Sequence, residues 1–157
     1  MKGKDSSSKL EDEFIPKKIV VAFDASLHSI KALKAAISIS EKYRSEITVI
    51  HCIEYPVVGY GEVYYNWDEF YSADKRKVSK ASEPFIKEAR KQKVKIGIVY
   101  TEGTASVAES LLLESKKIKP DLIVMGSRGL GGFKSLLLGS VSNAVVTHST
   151  IPVLIIK

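Results

Sequence analysis

Residues Asp121 to Ser142 read DLIVMGSRGLGGFKSLLLGSVS. The apolar run Leu122 to Met125 stops abruptly at Gly126, a glycine-rich segment continues to Gly132, and Gly139-Ser140 opens a second apolar pattern at helical spacing. That order predicts a strand, a loop and the start of a helix. Glycine just after a strand permits positive φ and lets a ligand approach the main chain, while free N–H groups at a helix N-terminus suit an anion. The spacing is Gly126-x-x-Gly129, nine residues, then Gly139-Ser140. Gly126 and Gly129 would expose loop amides. Gly139, Ser140 and Val141 would supply helix N-terminal N–H groups, with the Ser140 hydroxyl as a further donor. Ser127 and Arg128 are additional candidate phosphate contacts, as is Lys134, although the two cations also read as solvated loop charges. A tight turn with a packing glycine is the alternative for the whole stretch. No Gly-Lys-Ser/Thr and no G-x-G-x-x-G occurs, so kinase-type P-loops and dinucleotide folds lose support.

Outward from this stretch, apolar β-branched runs alternate with helical patterns. Lys18 to Phe23 (KIVVAF) predicts a buried strand that ends at Asp24. Ser26 is a good N-cap for a helix whose apolar face runs from Leu27 to Ser40 and which ends near Tyr43. Glu46 to Ile53 (EITVIHCI) predicts a second buried strand, and Val94 to Tyr100 a third. Thr101 to Thr104 reads as a turn, with Thr104 capping a third helix through Leu112, and Pro120 precedes the fourth strand. Ile151 to Ile156 predicts the fifth. Between strands two and three, Ser72 to Lys93 has helical spacing that Pro84 interrupts, so a kink or a restart capped by Ser82 is expected. Glu54 to Tyr71 shows no period and holds seven of the thirteen aromatic residues. So long a loop reads as a lid, a pocket wall or a protein-partner surface at Tyr55 to Tyr71, or as a self-packed cluster.

Strict alternation of strands and helices implies an α/β protein: one open twisted parallel sheet with helices on both faces, because parallel strands need crossover connections. Ligands in such sheets sit at the carboxyl ends of the strands, where strand order reverses. Asp24, the end of strand two near Cys52, the turn at Gly103 and the loop from Gly126 all aim there. Asp24 reads either as a ligand contact or as a cap for the first helix.

Length and composition restrict the partners. A chain of 157 residues supports one domain, here expected over 15–157 behind a mobile charged and serine-rich tail at 1–14. No apolar run is long enough to span a membrane, and the N-terminus lacks the apolar core of a secretory signal, so a cytoplasmic location is expected. The net charge of +6 resides largely on the polar faces of helices, and no RNA-binding or zinc-finger motif accompanies it. The charge favours small anions over specific nucleic-acid binding. A single cysteine, Cys52, excludes an internal disulfide and reads as a buried thiol. The histidines, His28, His51 and His148, show no i, i+4 pairing, so no metal site is expected and His51 reads as a packed strand residue.

The span from about Ile15 to Lys157 resembles the universal stress protein family, whose ATP-binding branch carries G-x-x-G, nine residues, G-S/T; Gly126, Gly129, Gly139 and Ser140 match every position. Asp24 and the strand ending IHCIE also fit. The resemblance implies five parallel strands in the order 3-2-1-4-5, a homodimer, and an adenine nucleotide: ATP, with AMP or cyclic AMP as alternatives and Mg²⁺ accompanying ATP. Position by position it implies Asp24 at the ribose or base, the Cys52 backbone at the adenine edge and Ala22 in the base pocket. Gly126, Gly129, Gly139, Ser140 and Val141 would hold ribose and phosphates. The family often has Pro or Val where this chain has Ala22. No residue is assigned to an attacking water, so the expectation is a stress-response sensor or regulator with at most weak ATPase activity. The rivals are a slow ATP hydrolase and a nucleotide-free dimeric scaffold. The apolar last strand is the expected dimer edge.

Overall fold

A computed structural model describes residues 13–54, 66–102, 106–130 and 137–157. Its elements are β1 (Lys18–Ala22), α1 (Leu27–Tyr43), β2 (Glu46–Ile53), α2 (Trp67–Lys91), β3 (Ile96–Glu102), α3 (Val107–Ile118), β4 (Leu122–Gly126), α4 (Ser140–His148) and β5 (Val153–Ile156). The five strands form one sheet in the order β3-β2-β1-β4-β5, and every pairing is parallel. β1 is therefore central, which explains its unbroken apolar sequence: Ile19, Val20 and Val21 are all buried.

Alternation along the strands divides the core in two. Ile19, Val21, Ile47, Val49 and Val124 face α1 and α2, where Ala32, Leu33, Val78 and Ile86 meet them. Val20, Ile50, Ile123 and Met125 face α3 and α4 through Ala108, Leu111 and Val145. Side chains of successive strand residues point to opposite faces, so each strand serves both layers. Polar ties fix the amino ends of the strands. The Asp121 carboxylate accepts the N–H groups of Lys17 at 2.7 Å and Lys18 at 2.8 Å, pinning the start of β1 to that of β4.

Several sequence expectations move. Residues 67–71, expected in the aromatic loop, are the first turns of α2, nucleated by Asn66, whose side chain accepts the Glu69 N–H at 3.2 Å. Asn66-x-x-Glu69 is a capping-box pattern that the aromatic residues around it obscured. There is no restart at Pro84, because α2 runs through it as one helix. Pro84 lacks an N–H for the Lys80 carbonyl, and both residues lie on the exposed side of α2. Ser82 caps nothing, because its hydroxyl donates to the Val78 carbonyl at 2.9 Å. α3 is capped by Ser106, which accepts from Glu109 N–H at 3.1 Å; the expected cap, Thr104, lies outside the described residues. β3 runs two residues past its expected end, and β5 starts two residues late. Residues 1–12 of the expected tail and 55–65 of the expected loop also lie outside the described residues.

Leu33 is fully buried between α1 and the sheet, whereas Leu113 is 45% exposed on α3. Leu33→Ala is expected to lower unfolding free energy by about 2–5 kcal/mol, and Leu113→Ala by under about 0.5 kcal/mol, in urea titrations followed by circular dichroism.

Candidate functional site

β1 and β4 are neighbours, yet the chain leaves them towards opposite sides of the sheet order, and a crevice opens beyond their carboxyl ends. It holds a cavity of about 680 Å³. Each of the eight residues expected to bind nucleotide lines it: Ala22 and Asp24 from β1 and the turn after it, Cys52 from β2, Gly126 and Gly129 from β4 and its loop, and Gly139, Ser140 and Val141 from the start of α4. Arg128 lines it as well. Lys134 and Gly103 lie outside the described residues.

The glycines serve close approach, not positive φ. Among the described residues no glycine has positive φ; Ala25 does, at 64°, in the turn between Asp24 and α1. A Cβ on Gly126 would lie 2.7 Å from His28 Cβ and 2.8 Å from its carbonyl carbon, so α1 could not sit where it does. A Cβ on Gly129 would lie 2.5 Å from an Asp24 carboxylate oxygen. That carboxylate accepts from Ser26 N–H at 2.9 Å through Oδ1 and from Leu130 N–H at 3.2 Å through Oδ2. Asp24 thus shapes the turn into α1 and holds the β4 loop, while Ser26 caps the helix by accepting from Ser29 N–H.

α4 differs from the other helices at its N-terminus. α1, α2 and α3 begin at Ser26, Asn66 and Ser106, each accepting a first-turn N–H; α4 begins at Gly139 with no side-chain cap. Its first-turn donors, Ser140 and Val141 among them, line the cavity without a side-chain acceptor of their own. The positive end of the helix dipole points the same way. One expected donor is spent: Gly139 N–H donates to the Ser127 carbonyl at 2.7 Å, and the Ser142 hydroxyl donates to the same carbonyl at 2.9 Å. Ser127 departs from its expected place at the phosphates. It is buried, its N–H donates to the Ile156 carbonyl at 2.7 Å, and it anchors α4 and β5 beneath the loop.

The strand-two end is equally shaped. β1 stops at Ala22, whereas β2 runs to Ile53. Phe23 N–H donates to the Ile50 carbonyl, so Ile50 turns its backbone towards β1; the ladder alternates, and Cys52, two residues on, faces the side that β1 has vacated. The Cys52 thiol is half-buried and donates weakly to the Val107 carbonyl at 3.7 Å. Burial, with smaller contributions from Glu54 and Glu114, pushes it up to about 12, so it stays a thiol and a poor nucleophile at neutral pH.

Asp74 and Lys77 from α2 and His51 from β2 form a wall that sequence reasoning missed; Glu54, just past β2, and Phe70 join it from the stretch for which a pocket wall was one reading. His51 is buried but not merely packed. Its ring nitrogens meet the Phe23 carbonyl at 2.8 Å and an Asp74 carboxylate oxygen at 2.6 Å. Among the described residues no group of three or more His, Cys, Asp or Glu side chains is placed to hold a metal ion.

These features define a doubly wound parallel α/β protein with an anion-ready crevice at its switch point. The chain belongs to the universal stress protein family, whose model matches residues 16–157. It is 32% identical to universal stress protein YxiE of Bacillus subtilis, over 89% of this chain and 98% of that one. With universal stress protein MJ0531 of Methanocaldococcus jannaschii the identity is 34%, over 92% and 84% respectively. Solved structures with the same fold include a universal stress protein in complex with cAMP (TM-score 0.67, 23% identity, 91% and 98% covered). Another is an Arabidopsis thaliana family member with AMP bound (0.64, 23%, 90% and 92%).

Gly97 has nothing within 4 Å of where a Cβ would lie, in contrast to Gly126. Gly126→Ala is expected to destabilise by about 1–3 kcal/mol and Gly97→Ala to be neutral or slightly stabilising, as read from thermal unfolding.

Proposed function

We propose that this protein binds an adenine nucleotide in the crevice, ATP ahead of AMP or cyclic AMP, and acts in the stress response by altering its protein contacts when the nucleotide is bound. The observation that carries this reading is the uncapped α4 N-terminus lining the cavity beside Arg128, where the other three described helices are capped by their own side chains. Ser140 and Val141 N–H groups would receive the phosphates, with the Ser140 hydroxyl and Arg128 beside them. Gly126 and Gly129 keep the floor and loop low. Asp24 would meet the ribose, since carboxylate oxygens have lone pairs beyond those taken by Ser26 and Leu130. The backbone of Cys52 would meet the adenine edge, above Ala22. The cAMP and AMP complexes of proteins with this fold support the choice of base.

Binding rather than hydrolysis is the proposed activity. Asp24 is committed to two backbone N–H groups and Asp74 to His51. Mg²⁺ would arrive with ATP, held mainly by its phosphates. Calorimetry is expected to give ATP binding tighter than about 1 mM, weakened at least about tenfold by Gly129→Val with Ser140→Ala. Absence of millimolar binding, or unchanged affinity in that variant, contradicts the reading.

The same proposal includes a homodimer through β5, which lies at a sheet edge and pairs with β4 alone among the described strands. Light scattering at micromolar concentration is expected to report twice the 17.3 kDa chain mass; a monomer would overturn it.

A further inference from the structure

We propose that His51 and Asp74 form a proton-held latch joining the α2 wall of the cavity to the strand end that carries Asp24, and that nucleotide affinity falls when this latch loses its proton. The inference rests on the nucleotide reading above and names a regulation of that site.

His51 Nδ1 faces the Phe23 carbonyl oxygen and Nε2 faces Asp74 Oδ2. A carbonyl never donates, an ionised carboxylate only accepts, and a neutral imidazole has one N–H. Making both bonds therefore takes one proton beyond a neutral ring with an ionised carboxylate, whether that proton rests on the ring or on Asp74. Without it two acceptors face one another, Nε2 and Asp74 across 2.6 Å or, in the other tautomer, Nδ1 and the Phe23 carbonyl across 2.8 Å, and one contact must open. The His51 side chain is 8% exposed and that of Asp74 22%, so water does not freely take the place of the lost partner.

What the latch holds is part of the site. Phe23 immediately precedes Asp24, so the Nδ1 bond fixes the backbone from which the loop-holding carboxylate projects. Asp74 lies on the part of α2 that walls the cavity, with Phe70 and Lys77. The buried residues of α2 are Val78, Ser82, Ile86 and Ala89; none lies in residues 67–77. With little apolar burial to seat it, that first part of the helix depends on polar and ring contacts such as the latch and Lys75, which lies over the rings of Tyr71 and Tyr100.

Other titratable groups surround the pair. Tyr100 of β3 stands edge-on to the His51 ring at 6.1 Å, with Lys75 of α2 over its own ring at 4.9 Å. Asp24 beyond β1, Cys52 and Glu54 at the end of β2, and Lys77 of α2 share the cavity lining. It is Asp74 that reaches a ring nitrogen. A polyanion entering the cavity also favours protons held nearby by Coulomb attraction, so nucleotide binding and retention of the latch proton reinforce each other.

Asp74→Asn separates this device from simple packing, because the amide can donate to an unprotonated Nε2 and keep both contacts with no extra proton. ATP affinity is measured by calorimetry from about pH 6 to about pH 8.5 in buffers of different ionisation enthalpy. The phosphates' own titration is common to both proteins, so the difference is the readout. Relative to Asp74→Asn, the wild type is expected to lose affinity as pH rises, by at most about tenfold per unit, and to take up more protons on binding. Parallel pH slopes and equal proton uptake overturn the latch. A second measurement needs no nucleotide: amide-exchange protection, corrected for intrinsic rates, is expected to fall by about fivefold over that range in the wild type, in residues 67–77 where the Asp74 contact opens or in residues 22–26 where the Phe23 contact opens, and to stay level in both segments of Asp74→Asn. If ATP binds neither protein, the nucleotide reading fails and the exchange data decide the latch alone; level protection in the wild type overturns it.

Discussion

The carboxylate of Asp24 is the contact on which the crevice depends. One oxygen takes the Ser26 N–H and shapes the turn into α1; the other takes the Leu130 N–H and holds the loop that follows β4. Two segments more than a hundred residues apart in sequence are thereby joined at the carboxyl ends of the two strands that meet at the switch point. The approach is so close that Gly129 has no room for a methyl beside that carboxylate, and Gly126 none beside His28. The glycine motif is thus first a packing requirement. The open crevice is its consequence.

Stability and function are divided among the helix ends. Ser26, Asn66 and Ser106 satisfy first-turn donors of their own helices, a contribution of about 1 kcal/mol each. α4 forgoes this. Its start is secured instead by Ser127, whose carbonyl takes both the Gly139 N–H and the Ser142 hydroxyl, so the helix stays in place while Ser140 and Val141 line the cavity. An acceptor supplied from outside, such as the phosphate of the proposed nucleotide, would complete a helix that the chain leaves without a side-chain cap.

Much of this was legible in the sequence because periodicity reports burial. β1 and β2 sit between other strands and under helices on both faces, so their residues are apolar almost without break, and α1 and β2 fall where the pattern places them. The glycine spacing pointed to the crevice, since it marks backbone that passes close to a neighbouring segment, His28 at Gly126 and the Asp24 carboxylate at Gly129. Local signals failed where two competed. The aromatic residues near Trp67 hid the Asn66 and Glu69 cap, and Pro84 suggested a restart where α2 runs on as one helix. Ser127 looked like a ligand contact because it neighbours the motif, but β5, which occupies its N–H, lies far along the chain. The His51–Asp74 pair had no sequence signature, because a strand residue meets a helix residue through the crossover that joins them.

The central claim is that a nucleotide lies with its phosphates on the α4 N-terminus and its base above Ala22, beside the end of β2 that β1 leaves unpaired. Titrating ¹⁵N-labelled protein with ATP and following backbone amide resonances tests it most directly. The account predicts the largest shifts at Cys52, Leu130, Ser140 and Val141, with residues of the separate α3–α4 groove such as Leu112 and Ala144 unmoved. Shifts concentrated in that groove, with Ser140 and Val141 unaffected, would contradict it.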